Sequence, residues 1–380
     1  MSRKKVYVWY VKSAVIYVLL LSFLLLFILR SESVMEEIIS ALGLCYHTMI
    51  PSLFPFFVLS GLMMEFDFAT VSGTLFSPVM RPLFRVRGSG AAAFVIGLFC
   101  GYPTGAKIVV TLYKKNQISR TEGMRLLPFC NNSGPLFVIG AVGVGMLGSV
   151  ELGIYLFVIH ALSAFLVGIL FRFYGRASGE KEHKTKVAKK LAQDVRSYWS
   201  NNRKSVGQVF SDCVLSSVNT TLLICGFIVL FSAANASFAP LISALRLPVI
   251  FEKVVKGMLE VSMGTKGIAE LYELPMRYIL SLLSFLIGFG GACVHLQVLG
   301  ILAGSGLSMK TYLSGKCLQA LISAGLSYVL FELLPEKSTL AWNSFSGGIL
   351  APNLPWFLPV LICVLALLIL WYQTKKRIDF

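Results

Sequence analysis

Acidic residues are scarce. The 380-residue chain has 18 Asp and Glu against 34 Lys and Arg; charged residues of both signs make up 14% of it, and 56% is hydrophobic. So little charge excludes a soluble globular protein of this length, and a mean hydropathy of +0.76 lies far outside the soluble range. Histidine is rarer still, at four residues, and neither HExxH nor a cysteine-histidine cluster occurs, which removes the usual zinc chemistry. CGYPTGAK at 100–107 has the wrong glycine-lysine spacing for a P-loop, and GSGLS at 304–308 has the wrong order for a nucleophile elbow. The eight cysteines (Cys45, Cys100, Cys130, Cys213, Cys225, Cys293, Cys317, Cys363) show no paired spacing and read as small core residues. On these absences the chain reads as no enzyme, with no cofactor and no metal.

Long apolar runs are what the sequence has instead. A bilayer core of about 30 Å takes about 20 helical residues to cross, and runs of that order lie near 8–29, 43–64, 126–148, 150–174, 208–235, 276–301, 316–334 and 356–372. The first follows Arg3, Lys4 and Lys5, but its flank LRSESVMEE lacks a small-residue cleavage site, so it reads as a retained anchor. A net charge of +16 would suggest nucleic acid in a soluble protein; here the basic residues sit in short connections between apolar runs, where they set orientation in lipid.

Those charges thread the chain. With a cytoplasmic N-terminus, the acidic stretch Glu32 to Glu37 lies outside and Arg81, Arg85 and Arg87 inside. The next apolar segment, 90–113, is followed by Lys114, Lys115, Arg120 and Arg125, which stay inside only if the segment enters the membrane and turns back. CGYPTGAK then forms the tip of a re-entrant hairpin, where non-helical backbone must be buried in protein or line a wet cavity. Residues 126–148 exit, 150–174 return, and the basic stretch from Arg176 to Lys204 is cytoplasmic.

The layout recurs. SPVMRPLFR at 77–85 has a counterpart in APLISALRL at 239–247, GYPTGAKI at 101–108 in VSMGTKGI at 261–268, and LLPFCNNSGPLFVIG at 126–140 in LSFLIGFGGACVHLQVLG at 283–300. The entry direction reverses between the halves, which makes them an inverted repeat. Secondary transporters place substrate and ion sites at the midplane of such repeats, on broken helices. Four breaks are expected to converge, at 101–105, 131–135, 261–267 and 290–297.

The motifs GYPTGAK, ISRTEGMRLLPFCNNSGPLFVIGAVG, GMLEVSMG and FGGACVHLQV resemble the YlbJ-like sporulation integral membrane proteins over about residues 35–335. The resemblance implies a nucleoside-recognition, or Gate, domain in each half. It further implies synthesis in the mother cell of an endospore-former, a place in the outer forespore membrane, and passage of dipicolinic acid across it. Nucleosides are the rival substrate class. In the second half GMLEVSMGTKG keeps the family's glutamate and glycine but has Ser262 and Met263 between them.

Candidate substrate-binding residues follow from the breaks. The first hairpin offers Gly101, Tyr102, Pro103, Thr104, Gly105 and Lys107; the first broken span offers Asn131, Asn132, Ser133 and Gly134. The second half offers Glu260, Thr265 and Lys266, then Gly290, Gly291, His295 and Gln297. Lys107 and Lys266 either snorkel to the interface or face a substrate, in which case they face each other across the pathway. An intramembrane carboxylate at Glu260 must pair, protonate or bind a cation. Asn131, Asn132 and Ser133 exceed what one backbone break requires, whereas His47 and His160 read as structural. The Gly140, Gly143, Gly145 and Gly148 series reads as close helix packing.

The expected architecture is an all-α polytopic membrane protein of eight transmembrane helices plus two re-entrant hairpins. An anchor occupies 1–34, the first repeat 35–175, a basic cytoplasmic linker 176–207, the second repeat 208–335, and a C-terminal helix with a basic tail 336–380. The expected activity is transport of a small anionic metabolite, with or without a coupling ion, and the expected partners are that substrate, membrane lipid and other spore-maturation membrane proteins. A membrane enzyme acting on a lipid-linked precursor and a non-transporting scaffold for cortex assembly are the competing readings.

Overall fold

A computed structural model describes residues 3–66, 68–175, 205–244, 246 and 248–334. The basic linker from 176 to 204, the expected eighth span at 356–372, Cys363 and the C-terminal tail lie outside the described residues. Every regular element among the described residues is helical. Four helical stretches are long and apolar enough to cross a membrane: Val150–Phe171, Val206–Ala244, Met276–Leu302 and Met309–Leu333. A fifth is added if Ser13–Leu29 and Ser31–Met49, which meet at 96°, count as one span. The protein is an all-α integral membrane protein.

Helix α1 (Arg3–Leu29) is followed by α2 (Ser31–Leu44), a π-helical turn Cys45–Met49 and α3 (Ile50–Glu65). Glu32 to Glu37, expected as an external connection, are therefore helical. Their side chains recur at helical spacing and one face, with Val34, packs on the long helix Val206–Ala244. Helix α4 (Phe68–Phe84) leads to a helical hairpin of α5 (Gly90–Cys100) and α6 (Thr104–Lys114). Next come α7 (Arg120–Cys130), a break, the π-helical segment Leu136–Met146, and α8 (Val150–Phe171). Helix α9 (Val206–Ala244) is continuous for 39 residues through Pro240, so the short amphipathic piece expected from 239 continues the preceding helix as far as Ala244. A second hairpin, α10 (Val249–Leu259) and α11 (Val261–Ala269), precedes α12 (Met276–Phe289), α13 (Gly291–Leu302) and α14 (Met309–Val329).

Polar contacts fix which ends lie together. Ser119 and Glu122 form a capping box at the start of α7, and the same carboxylate accepts from the Arg87 amide at 2.7 Å. The Ser89 hydroxyl donates to the Gln117 carbonyl at 3.1 Å. The two ends of 90–113 thus meet, as a hairpin requires and a straight span forbids. At this end Arg125 donates to the carbonyls of Arg85, Tyr174 and Gly175, and Arg120 donates to that of Gly306. Helix α14 starts here, next to Met124, and ends beside Arg277, which bonds the Tyr328 carbonyl and Glu332. Arg277 opens α12 directly after the second hairpin, so the hairpins open toward opposite ends of α14.

Glycine makes the hairpins tight. A Cβ on Gly97 or on Gly105 would overlap the Cys130 carbonyl oxygen, and a Cβ on Gly264 would overlap Gly257. The first hairpin therefore closes around the last carbonyl of α7, and the second closes on itself. The expected glycine packing between the π-helical segment and α8 holds for Gly143, which lies against Gly153, but not for Gly140 or Gly145. Those two line a cavity instead.

Candidate functional site

Helix breaks meet in pairs. Gly101, at φ +77° between α5 and α6, lies against Gly134 in the break after α7; a Cβ on Gly101 would stand 3.2 Å from the Gly134 nitrogen. Gly290 and Gly291, at φ +89° and +77°, separate α12 from α13, and a Cβ on Gly291 would stand 3.3 Å from both the Gly257 oxygen and the Val261 nitrogen at the second hairpin tip. Only glycine takes this left-handed backbone without strain. The pairs are joined by Tyr102, whose ring covers Gly290 and whose hydroxyl donates to the Ile287 carbonyl at 2.6 Å. Two breaks are narrower than the sequence suggests. Residues 262–267 are helical because the chain turns at Glu260, and 292–297 are helical because the two glycines complete the turn.

A break frees backbone carbonyls that need partners away from water. Asn131 and Asn132 occupy the break after α7, both fully buried, and α14 meets them with residues that the sequence alone does not single out. Lys316, 0% exposed, donates to the Asn131 carbonyl at 2.9 Å and to Gln319 Oε1 at 2.6 Å. The Gln319 amide donates in turn to Asn132 Oδ1 at 3.0 Å, and Asn132 donates to the Phe129 carbonyl at 2.7 Å. Tyr312 receives the Asn131 amide at 3.2 Å and bonds His295 Nδ1 at 3.2 Å. The Ser133 amide donates to Nε2 of His160, so this histidine belongs to the cluster. Gly315 explains the close approach, since a Cβ there would run into Pro128 of α7. Lys316 next to it consequently reaches the break.

The remaining candidates lie to either side. Lys107 donates to Ser216 at 3.2 Å and, with Pro103 and Thr104, lines a cavity of about 330 Å³ running from the first hairpin tip to Lys115. Lys266, with Ser262, Gly140 and Gly145, lines a cavity of about 760 Å³ running from the second hairpin tip to Tyr272, and also a charged cavity of about 590 Å³ beside α2 and α9. Lys107 and Lys266 stand on equivalent hairpin helices but in separate cavities, so they do not face each other. Gln297 bonds Cys293 within its own helix, and the Thr265 hydroxyl bonds the Ser262 carbonyl within its own. Among the described residues no cysteine forms a disulfide; five are buried and Cys317 is exposed.

Glu260 has a local role. Its carboxylate accepts from the amides of Ser262 at 3.0 Å and Met263 at 2.7 Å, capping α11, and among the described residues it forms no ion pair. The favourable charge at a helix N-terminus supports the same contacts. Glu260→Ala is expected to cost about 1–2 kcal/mol of stability, and Glu260→Gln, which keeps an acceptor, about half of that. Thermal unfolding of the purified variants checks the order; a Gln variant as damaged as the Ala variant would mean that the charge, not the cap, is what matters.

The site's residues fall within known relationships. The family model described as nucleoside recognition (Gate) matches residues 46–170, from the π-helical turn before α3 to the end of α8. Over 323 residues the chain is 32% identical to the sporulation integral membrane protein YlbJ of Bacillus subtilis (strain 168), covering 80% of this chain and 78% of that protein. No solved structure matches. Identity at that level over four-fifths of the chain takes in both hairpins and both broken helices, and the protein belongs to the YlbJ family of sporulation integral membrane proteins.

Proposed function

We propose that the protein is a transporter of a small anionic metabolite, and that dipicolinate, moved across the outer forespore membrane during sporulation, is its substrate. One observation carries this reading. Each hairpin tip opens on a cavity of its own, the first lined by Lys107 and Lys115 and the second by Lys266, and the polar cluster at the first break lies beside Tyr102, which joins the two pairs of breaks. That is the layout expected of an inverted repeat with alternating access, in which one half rocks against the other around a fixed centre. Volumes of about 330 and 760 Å³ suit a small metabolite. A flat ring with a carboxylate on each side would meet Lys107 from one cavity and Lys266 from the other as access alternates. Eight spans in all, with both termini cytoplasmic, complete this reading. The name of the Bacillus relative supports the sporulation setting.

A nucleoside is the second reading, favoured by the family model's description and by the buried acceptors Asn131 Oδ1 and Gln297 Oε1, which have no protein partner among the described residues and would suit the N–H groups of a base. Uptake into vesicles containing only this protein separates the two. Labelled dipicolinate is expected to enter saturably, unlabelled nucleosides failing to compete even at a hundredfold excess. Saturable nucleoside entry that dipicolinate does not inhibit would reverse the assignment, and entry of neither would favour the scaffold.

A further inference from the structure

Lys316 sits where a charged group has least reason to be. It is fully buried, and among the described residues it forms no ion pair. Its ammonium meets neutral or dipolar groups instead: the Asn131 carbonyl, the Gln319 side-chain oxygen, and the face of the Tyr102 ring with its centroid 5.4 Å away. Asn131 is the C-cap of α7, so the carbonyl it engages lies at the negative end of a half-helix, in an unwound stretch.

These are the ligands that a coupling cation uses in transporters with broken helices, where freed carbonyls and the C-terminal ends of half-helices surround sodium or a proton. Here the chain supplies a cation of its own, delivered from α14 by the Gly315 contact and held in register by Gln319. We propose that the Lys316 ammonium takes the place of a coupling cation at the first helix break, so that this protein moves its substrate without sodium or any other inorganic cation. The proposal rests on the transport reading for its functional half; its structural half, a tethered ammonium filling a cation site, stands apart from it.

Two measurements test the halves separately. In vesicles, replacing sodium and potassium by N-methylglucamine on both sides should leave dipicolinate uptake within about twofold of its original rate, which corresponds to less than about 0.5 kcal/mol. Uptake that stops without sodium would overturn the proposal. If no uptake occurs in any buffer, it is the transport reading that has failed, and unfolding of the detergent-solubilised protein still decides the cation site. The wild-type unfolding midpoint should be the same in sodium chloride as in N-methylglucamine chloride. Lys316→Ala opens a space of three carbons and an ammonium, so its midpoint should fall by several degrees and recover when propylammonium chloride is added. Lys316→Met fills that space without a charge; its midpoint should fall and propylammonium should not restore it. A sodium-specific rise in the wild-type midpoint, or a Lys316→Ala variant with an unchanged midpoint or no response to propylammonium, would overturn the proposal. Should neither variant fold, the wild-type comparison alone decides between a filled and an open cation site.

Discussion

Gly105→Ala should lower the unfolding midpoint by several degrees. The added Cβ would overlap the Cys130 carbonyl oxygen and stand 3.0 Å from the Asn131 Cα, and both obstacles are backbone, so no side-chain rotation relieves them. Overpacking of this kind costs about 3 kcal/mol, or roughly a hundredfold in the ratio of folded to unfolded protein. Alanine's better helix propensity returns only about 1 kcal/mol. Gly140→Ala is the matched control, since no atom lies within 4 Å of its new Cβ. Unfolding midpoints in detergent, with the monodisperse fraction on size exclusion, give the comparison. Equal midpoints for the two variants would mean that the hairpin does not close on α7 as tightly as described.

The second large effect belongs to Arg125. The residue is 2% exposed, and its guanidinium donates at 2.9 Å to the Tyr174 carbonyl, at 2.7 Å to that of Arg85 and at 3.2 Å to that of Gly175. It thereby ties the ends of α4, α7 and α8 together. Arg125→Met keeps most of the apolar volume and strands three carbonyls; at about 1–3 kcal/mol for each unmet group, reduced where water reaches them, the loss is roughly 3–5 kcal/mol. Arg125→Lys supplies a point charge without the planar fork and should fall between the two. A methionine variant as stable as wild type would show that this junction is solvated and contributes nothing.

Much of the fold is legible because glycine, proline and charge leave clear marks in an apolar chain. GYPTGAK flanked by basic residues on both sides points to a hairpin, and the Arg87 to Glu122 and Ser89 to Gln117 contacts bear that out. FCNNSGP likewise marks a break whose asparagines are fully buried. Lys316 is hidden by a boundary. Hydropathy starts the last apolar run of the second repeat at 316, which leaves the lysine at its edge, where it could snorkel. The helix in fact starts at Met309, which puts Tyr312 and Lys316 within it. Glu260 stands out for its charge, but its function as a cap depends on the turn falling one residue before Val261, and GMLEVSMGTKG contains several glycines that would serve a turn equally well. Hydropathy also hides the continuity of α9, because Pro240 reads as a stop although the helix runs on through it to Ala244.

The bond from Lys316 to the Asn131 carbonyl spans 185 residues of sequence, and this imposes an order on biosynthesis. At roughly 5–20 residues per second, the ribosome needs about 10–40 s after making Asn131 before its partner exists. Throughout that interval the nascent first half carries an unwound, unmatched stretch of peptide in or beside the bilayer, and Tyr102 waits just as long for Ile287, also 185 residues on. A chain truncated before α14 would retain the defect permanently. Such a fragment is a natural target for membrane-protein surveillance, and co-expression of the two halves as separate polypeptides should protect the first from degradation.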